Sequence, residues 1–183
     1  MRMTLNDIIV AALAQLDRGH DAQTLDVWRD KFARFANDGA ADLAYALKPR
    51  RTETAEIRGG LIDLSGLGRE CLKALRVSRG GKELPFHQGG STGLLSLPGC
   101  PDGEAEITYQ YAPRELSAAT DVPELPEACH ALIVTYVVAR ERASGDVSVQ
   151  RGAGIYFQLY EAGKRLLPPH RGCPDAYRIV NRW

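Results

Sequence analysis

The chain has no excess charge of either sign. Its 183 residues carry 23 Lys and Arg against 23 Asp and Glu, so composition gives no bulk electrostatic grip on nucleic acid or an anionic membrane, although local basic patches remain allowed. No apolar run approaches the roughly 20 residues that span a bilayer. The apolar part of the first helical pattern is broken by Asn6 and Asp7 and has no cleavage-type exit, so no signal peptide is expected. Metal-ligand spacing is missing too. Cys71, Cys100, Cys129 and Cys173 lie far apart, with no CxxC and no Cys/His pair at zinc spacing. Free thiols in a reducing compartment are the expectation.

Nucleotide and hydrolase signatures are also absent. The pairs Gly59-Gly60, Gly80-Gly81 and Gly89-Gly90 fit neither GxxxxGK[ST] nor GxGxxG, and they read as turns. His87, Ser91 and Asp63 can nominally be assembled into a triad, but no nucleophile elbow supports one. No enzyme, cofactor or metal is expected. What remains is a composition of 44% hydrophobic and 25% charged residues, that of an ordinary globular protein long enough for one core, or for one core with a smaller inserted module.

The N-terminal part has helical grammar. Thr4 with Asp7 forms a variant capping box, and Leu5, Ile8, Ile9, Ala12, Leu13 and Leu16 make one apolar stripe ending near Gly19. Thr24 is the expected cap of a second helix, whose Trp28, Phe32 and Phe35 form an aromatic stripe that suits a core better than a ligand cradle. Asn37-Asp38-Gly39 weakens its middle, but Leu43 and Leu47 carry the pattern on to Pro49. Lys48, Arg50 and Arg51 then read as the cationic helix end rather than as a phosphate site.

From Thr52 to about Thr120 short alternating runs and turn residues replace that grammar. Two short strands are expected around Gly59-Gly60, a hairpin around Gly80-Gly81, and another pair around Pro101-Asp102-Gly103. A small antiparallel sandwich or barrel follows. Tyr109 and Tyr111 alternate with polar neighbours, which fits a core face better than a carbohydrate-stacking surface.

Val122–Ala143 is ambiguous by propensity. Its β-branched run favours a strand, whereas Pro126, the flanking Glu124 and Glu127, the closing Arg140 and Arg142, and the length favour a helix, which is preferred. His130 inside it reads as a satisfied core or interface residue. The next helical pattern carries two stripes: Ile155, Leu159, Ala162 and Leu166 on one, and Tyr156, Tyr160, Gly163 and Leu167 on the other. Gly152, Gly154 and Gly163 allow close approach. Pro168-Pro169 then ends the helix, and a tail with Tyr177, Ile179, Val180 and Trp183 follows. It is too apolar for a typical disordered end. An extended arm that docks on a partner is preferred over a tail folded back on its own domain.

Two stretches together resemble the head-to-tail connector proteins, or portal adaptors, of tailed bacteriophages. One is FARFANDGAADLA (residues 32–44), and the other is DVPELPEACHALIVTYVVARERASGDVSVQRGAGIYFQLYEAGKRLL (residues 121–167), with its acidic Leu-Pro entry and Tyr-rich final helix. With the N-terminal helix that precedes the first of them, the similar chain ends, residues 1–51 and 121–167, cover a little over half of the chain. The departure is the substantial β-rich insertion between them.

The resemblance implies an α+β protein. A bundle of about four helices comes from residues 1–51 and 121–167, an inserted antiparallel β module from 52–120, and a C-terminal arm from 168–183. It implies a homo-oligomeric ring, usually of twelve subunits, beneath the portal at the head-tail junction of the virion. Such a ring lengthens the DNA channel without sequence-specific binding, touches no membrane, and offers a platform to a downstream neck or tail protein. On this reading Tyr136, Tyr156, Tyr160 and Leu167 meet neighbouring subunits, and Pro168, Pro169, Tyr177, Ile179, Val180 and Trp183 grip the portal. Another neck, tail-completion or baseplate protein is the alternative, ahead of a small enzyme or a carbohydrate-binding module.

Overall fold

Thr4 and Asp7 set the start of the first helix, α1 (Leu5–Gln15). The Asp7 amide donates to Thr4 Oγ1 at 3.2 Å and the Thr4 amide to Asp7 Oδ2 at 2.9 Å, so each residue's side chain satisfies the other's otherwise orphaned N–H group. The computed structural model describes residues 2–89, 93–144 and 147–167, with the backbone alone for 147–151. It divides into a helical unit, residues 2–47 and 113–167, and a β unit, residues 48–112. The fold is α+β, with four helices and small antiparallel sheets among the described residues.

In the helical unit α1 is followed by α2 (Ala22–Leu47), α3 (Glu127–Ala143) and α4 (Val147–Leu166). The expected cap of α2 at Thr24 is corrected to Asp21. Its carboxylate takes the amides of Gln23 and Thr24, both at 3.1 Å, and the Thr24 hydroxyl at 2.7 Å. A carboxylate at the positive end of the helix dipole outcompetes the hydroxyl. The second helix runs unbroken through Gly39, where a Cβ would lie 2.9 Å from the Tyr136 ring of α3. Asn37 brackets Leu116, taking its N–H at 2.8 Å and donating to its C=O at 3.0 Å.

Lys48, with φ of 52°, turns the chain out of α2. Arg50 and Arg51 are therefore not a helix end but the first residues of a strand, because Pro49 cannot continue the helical hydrogen bonds. The chain rejoins the helical unit at residue 113, where Leu116 is buried among α1, α2 and α3 residues. Asp121 C=O and Ala119 C=O accept the Leu5 and Asn6 amides at 2.7 and 3.0 Å, so this connecting stretch caps α1.

Residues 122–126 are an irregular entry, and the helix preferred for Val122–Ala143 begins at Glu127 after Pro126. Ile133, Val134, Val137 and Val138 are buried against α1 and α2, so tertiary burial overrides their strand propensity. Glu141, only 6% exposed, is paired with Arg18 at 3.0 Å and Lys31 at 2.7 Å, while the Arg18 guanidinium lies 3.8 Å from the centre of the Trp28 ring. Phe32 is fully buried, with Trp28 and Phe35 half-buried beside it, so the aromatic stripe is core.

The β unit holds β1 (Arg50–Ile57), β2 (Leu61–Asp63), β3 (Cys71–Arg79), β4 (Lys82–Glu83), β5 (His87–Gln88), β6 (Leu94–Ser96) and β7 (Gly103–Tyr111). Antiparallel pairing gives a four-stranded sheet in the order β1-β7-β3-β4 and a three-stranded sheet in the order β2-β6-β5. One core serves both sheets, built from Ile57, Ile62, Val77, Leu95, Leu97, Ile107 and Tyr109. Gly80 and Gly81, with φ of 55° and 79°, make the expected β3–β4 hairpin turn.

The pair expected around Pro101-Asp102-Gly103 does not form. β6 pairs with β2 and β5, whereas β7 crosses to the other sheet and is central there, between β1 and β3. Turn residues mark a reversal of the chain but not which strand the next one will bond. Tyr109 is fully buried, which removes it as a stacking platform.

Candidate assembly surface

Glycine holds α3 and α4 close, and charge fastens α4 to α2 at one point. A Cβ on Gly163 would collide with a terminal methyl of Leu132, so any other residue there would oblige the Leu132 side chain to turn aside. Gly152 plays a lesser part, with the Arg142 side chain 3.3 Å from its notional Cβ, and Gly154 faces open space. The Tyr136 ring meets Phe157 edge-on at 6.3 Å and tilts against Tyr160 at 5.1 Å.

Tyr160, 1% exposed, donates its hydroxyl to Asp42 Oδ2 of α2 at 2.5 Å, and Lys164 Nζ reaches the same oxygen at 2.8 Å. Burial works against the Asp42 charge, but the hydrogen bonds from Lys164 and Tyr160 and the Lys164 charge outweigh it and hold the carboxyl below its ordinary range. Burial also opposes the Lys164 charge, yet its bonds to Asp42 and Glu161 raise its pKa. The Tyr160 phenol is pushed far up, first by burial and then by the Asp42 carboxylate.

These contacts use one side of α4 and leave the other bare. Ile155 is 60% exposed, Leu159 57% and Leu166 84%, and Ala162 between them is exposed too. Their spacing of four, three and four residues is that of a coiled-coil seam. Of the two stripes legible in the sequence, the structure turns the tyrosine stripe inward and this one outward.

The expected interface residues therefore have intramolecular contacts. Tyr160 is sealed against Asp42, and Tyr136 is half-buried among Gly39, Phe157 and Tyr160. Tyr156 is half-buried, with the Arg142 guanidinium 5.0 Å from its ring centre, and Leu167 packs against the helical core. Pro168, Pro169, Tyr177, Ile179, Val180 and Trp183 lie outside the described residues. Asp42 falls within the stretch 32–44, but its role is not legible there, because its partners are more than a hundred positions away.

No catalytic arrangement is assembled among the described residues. His87 is exposed in β5, Asp63 accepts the Ser65 amide at 2.9 Å and hydroxyl at 2.7 Å, and Ser91 lies outside the described residues. Among the described residues no three His, Cys, Asp or Glu side chains group to hold a metal. Cys71, Cys100 and Cys129 are free thiols, and burial raises the pKa of Cys71 and Cys129, away from the reactive thiolate. Cys173 lies outside the described residues. His130 is a satisfied core residue. Its Nδ1 accepts the Met3 amide at 2.9 Å and its Nε2 lies 3.2 Å from Leu125 C=O. No described helix is long and apolar enough to cross a membrane.

Residues 86–172 match the model of a family described as SU10 adaptor protein. The match takes in β5, β6, β7, α3 and α4, just under half of the chain, and supports a place among phage adaptors. No curated protein matches the chain.

Proposed function

We infer that the chain is a structural adaptor of a bacteriophage virion, and that its copies join into a closed ring beneath the portal. The observation that carries this reading is the uncovered seam of α4, Ile155, Leu159, Ala162 and Leu166, which lies wholly inside the segment similar to the adaptor family. A seam of four residues buries far less than the roughly 800 Å² per partner of a standard stable interface. Ring closure adds a second such contact, since each copy then has two neighbours.

A second exposed line fits the opposite role. Val27 and Tyr45, 70% and 79% exposed, stand about five helical turns apart on one line of α2. Contact between an α4 face and an α2 face is heterologous, the type that closes rings rather than isolated dimers. In this account the ring lengthens the DNA channel, its balanced charge lets DNA slide, and residues 168–183 engage the portal. The β unit meets the next neck or tail component. Electron microscopy of the chain mixed with its portal tests the reading. A closed ring on the portal is expected, and a strictly monomeric chain that never binds portal would overturn it.

A further inference from the structure

β1 is an edge strand, and among the described residues part of its outer side is unpaired. Tyr111 donates its N–H to Pro49 C=O at 3.2 Å, and the register runs unbroken from Arg50↔Gln110 to Ile57↔Gly103. Antiparallel alternation then points the backbone groups of Arg51, Glu53, Ala55 and Ile57 at β7, and those of Thr52, Thr54 and Glu56 away from it. Arg58 shares the outward phase and exchanges both backbone bonds with Leu61, at 2.9 and 3.0 Å. Past that bridge β2 departs into the other sheet, and a cleft of about 410 Å³ opens beside the free edge.

Thr54 and Glu56 line one side of the cleft, and Leu61, Asp63, Leu67 and Leu94 the other. Leu61 is 40% exposed and Leu94 36%, so apolar side chains adjoin a row of unpaired N–H and C=O groups. Glu53, which accepts the Gly68 amide at 2.8 Å, marks the far end. Between the two ends there is room for about four residues of strand, or about 13 Å. Edges of this kind are normally covered or blunted, and a strand added to one gains main-chain bonds while the adjoining pocket selects alternate side chains.

The chain carries a segment of matching chemistry. In Ala176-Tyr177-Arg178-Ile179-Val180 the large apolar Tyr177 and Ile179 alternate with Arg178. Added as a strand, the segment puts Tyr177 and Ile179 on one face, toward Leu61, Leu67 and Leu94, and Arg178 on the other, beside the Glu56 carboxylate that already carries Arg58 at 2.7 Å. The ten residues from Leu167 to Tyr177 reach about 33 Å when extended, about the diameter of a small domain.

We propose that the cleft between β1 and β2 seats the chain's own residues 176–180 as a short strand on the β1 edge. The proposal concerns the free chain and does not rest on ring formation. If both hold, portal docking draws the segment out of the cleft.

Amide hydrogen exchange at single-residue resolution on the full chain, at concentrations where it is monomeric, tests the assignment. Thr54 and Glu56 are expected to exchange slowly. Ile179→Asp in the segment, and separately Leu67→Asp in the cleft, should return both amides to the rate of an exposed group, while Arg51, Glu53 and Ala55 stay slow and report an intact sheet. Fast exchange at Thr54 and Glu56 in the unaltered chain overturns the proposal. Slow exchange that survives both substitutions overturns it as well, because the protection then has another source. Protection that appears only when copies associate does the same, assigning the cleft to a neighbour.

Discussion

His130 is held from both ring nitrogens by backbone groups distant in sequence or across a turn, Met3 N–H and Leu125 C=O. Replacing it with Leu keeps the bulk but orphans both groups, so His130→Leu should cost about 2 kcal/mol, read as a lowered midpoint in denaturant. The Asp42 cluster predicts a pH dependence. The Asp42 pKa is depressed in the folded chain, so its contribution is present above its unfolded value of about 4 and is lost as pH falls through the folded value. The Lys164 pKa is raised, so its contribution is complete below its unfolded value of about 10.4 and is lost as pH rises through the folded value. Melting temperatures of Asp42→Asn and the parent should therefore converge at low pH and stand furthest apart across the neutral range. A gap that does not narrow in acid would count against the cluster.

At the scale of elements, α4 is positioned by Gly163 and by the tyrosine stripe. Gly163→Val forces its side chain into Leu132 and should cost about 1–3 kcal/mol by overpacking, measured by thermal unfolding, whereas Gly154→Ala, which meets open space, should not destabilise. Much of this layer was legible in the sequence. The Thr4–Asp7 capping box, the α1 stripe, the aromatic core of α2 and the Gly80-Gly81 hairpin all follow from local chemistry. The helix at α3 was legible by its ends rather than its middle, since β-branched residues are tolerated where burial decides. What local chemistry does not encode is partnership across distance. It leaves open which strand β6 bonds, that Asn37 holds Leu116, and which of the two α4 stripes turns inward. The tyrosines expected to meet neighbouring subunits also have contacts within the chain, because a carboxylate on α2 and a glycine facing Leu132 hold that stripe against the helical core.

At the scale of the whole molecule, the proposed ring would be built by the helical unit, leaving the β unit for the neighbouring component. In that proposed ring the bare seam of α4 would join one copy to the next. Mass photometry of the parent chain beside a Leu159→Glu, Leu166→Glu double variant tests this most directly, with circular dichroism and melting temperature as the control for folding. Both side chains are exposed, so the variant should melt within about 0.5 kcal/mol of the parent in stability. A single closed oligomer is expected for the parent, with portal added where a template is needed, and a monomer for the variant. A variant that assembles as the parent does, or a parent that stays monomeric even on portal, would contradict it.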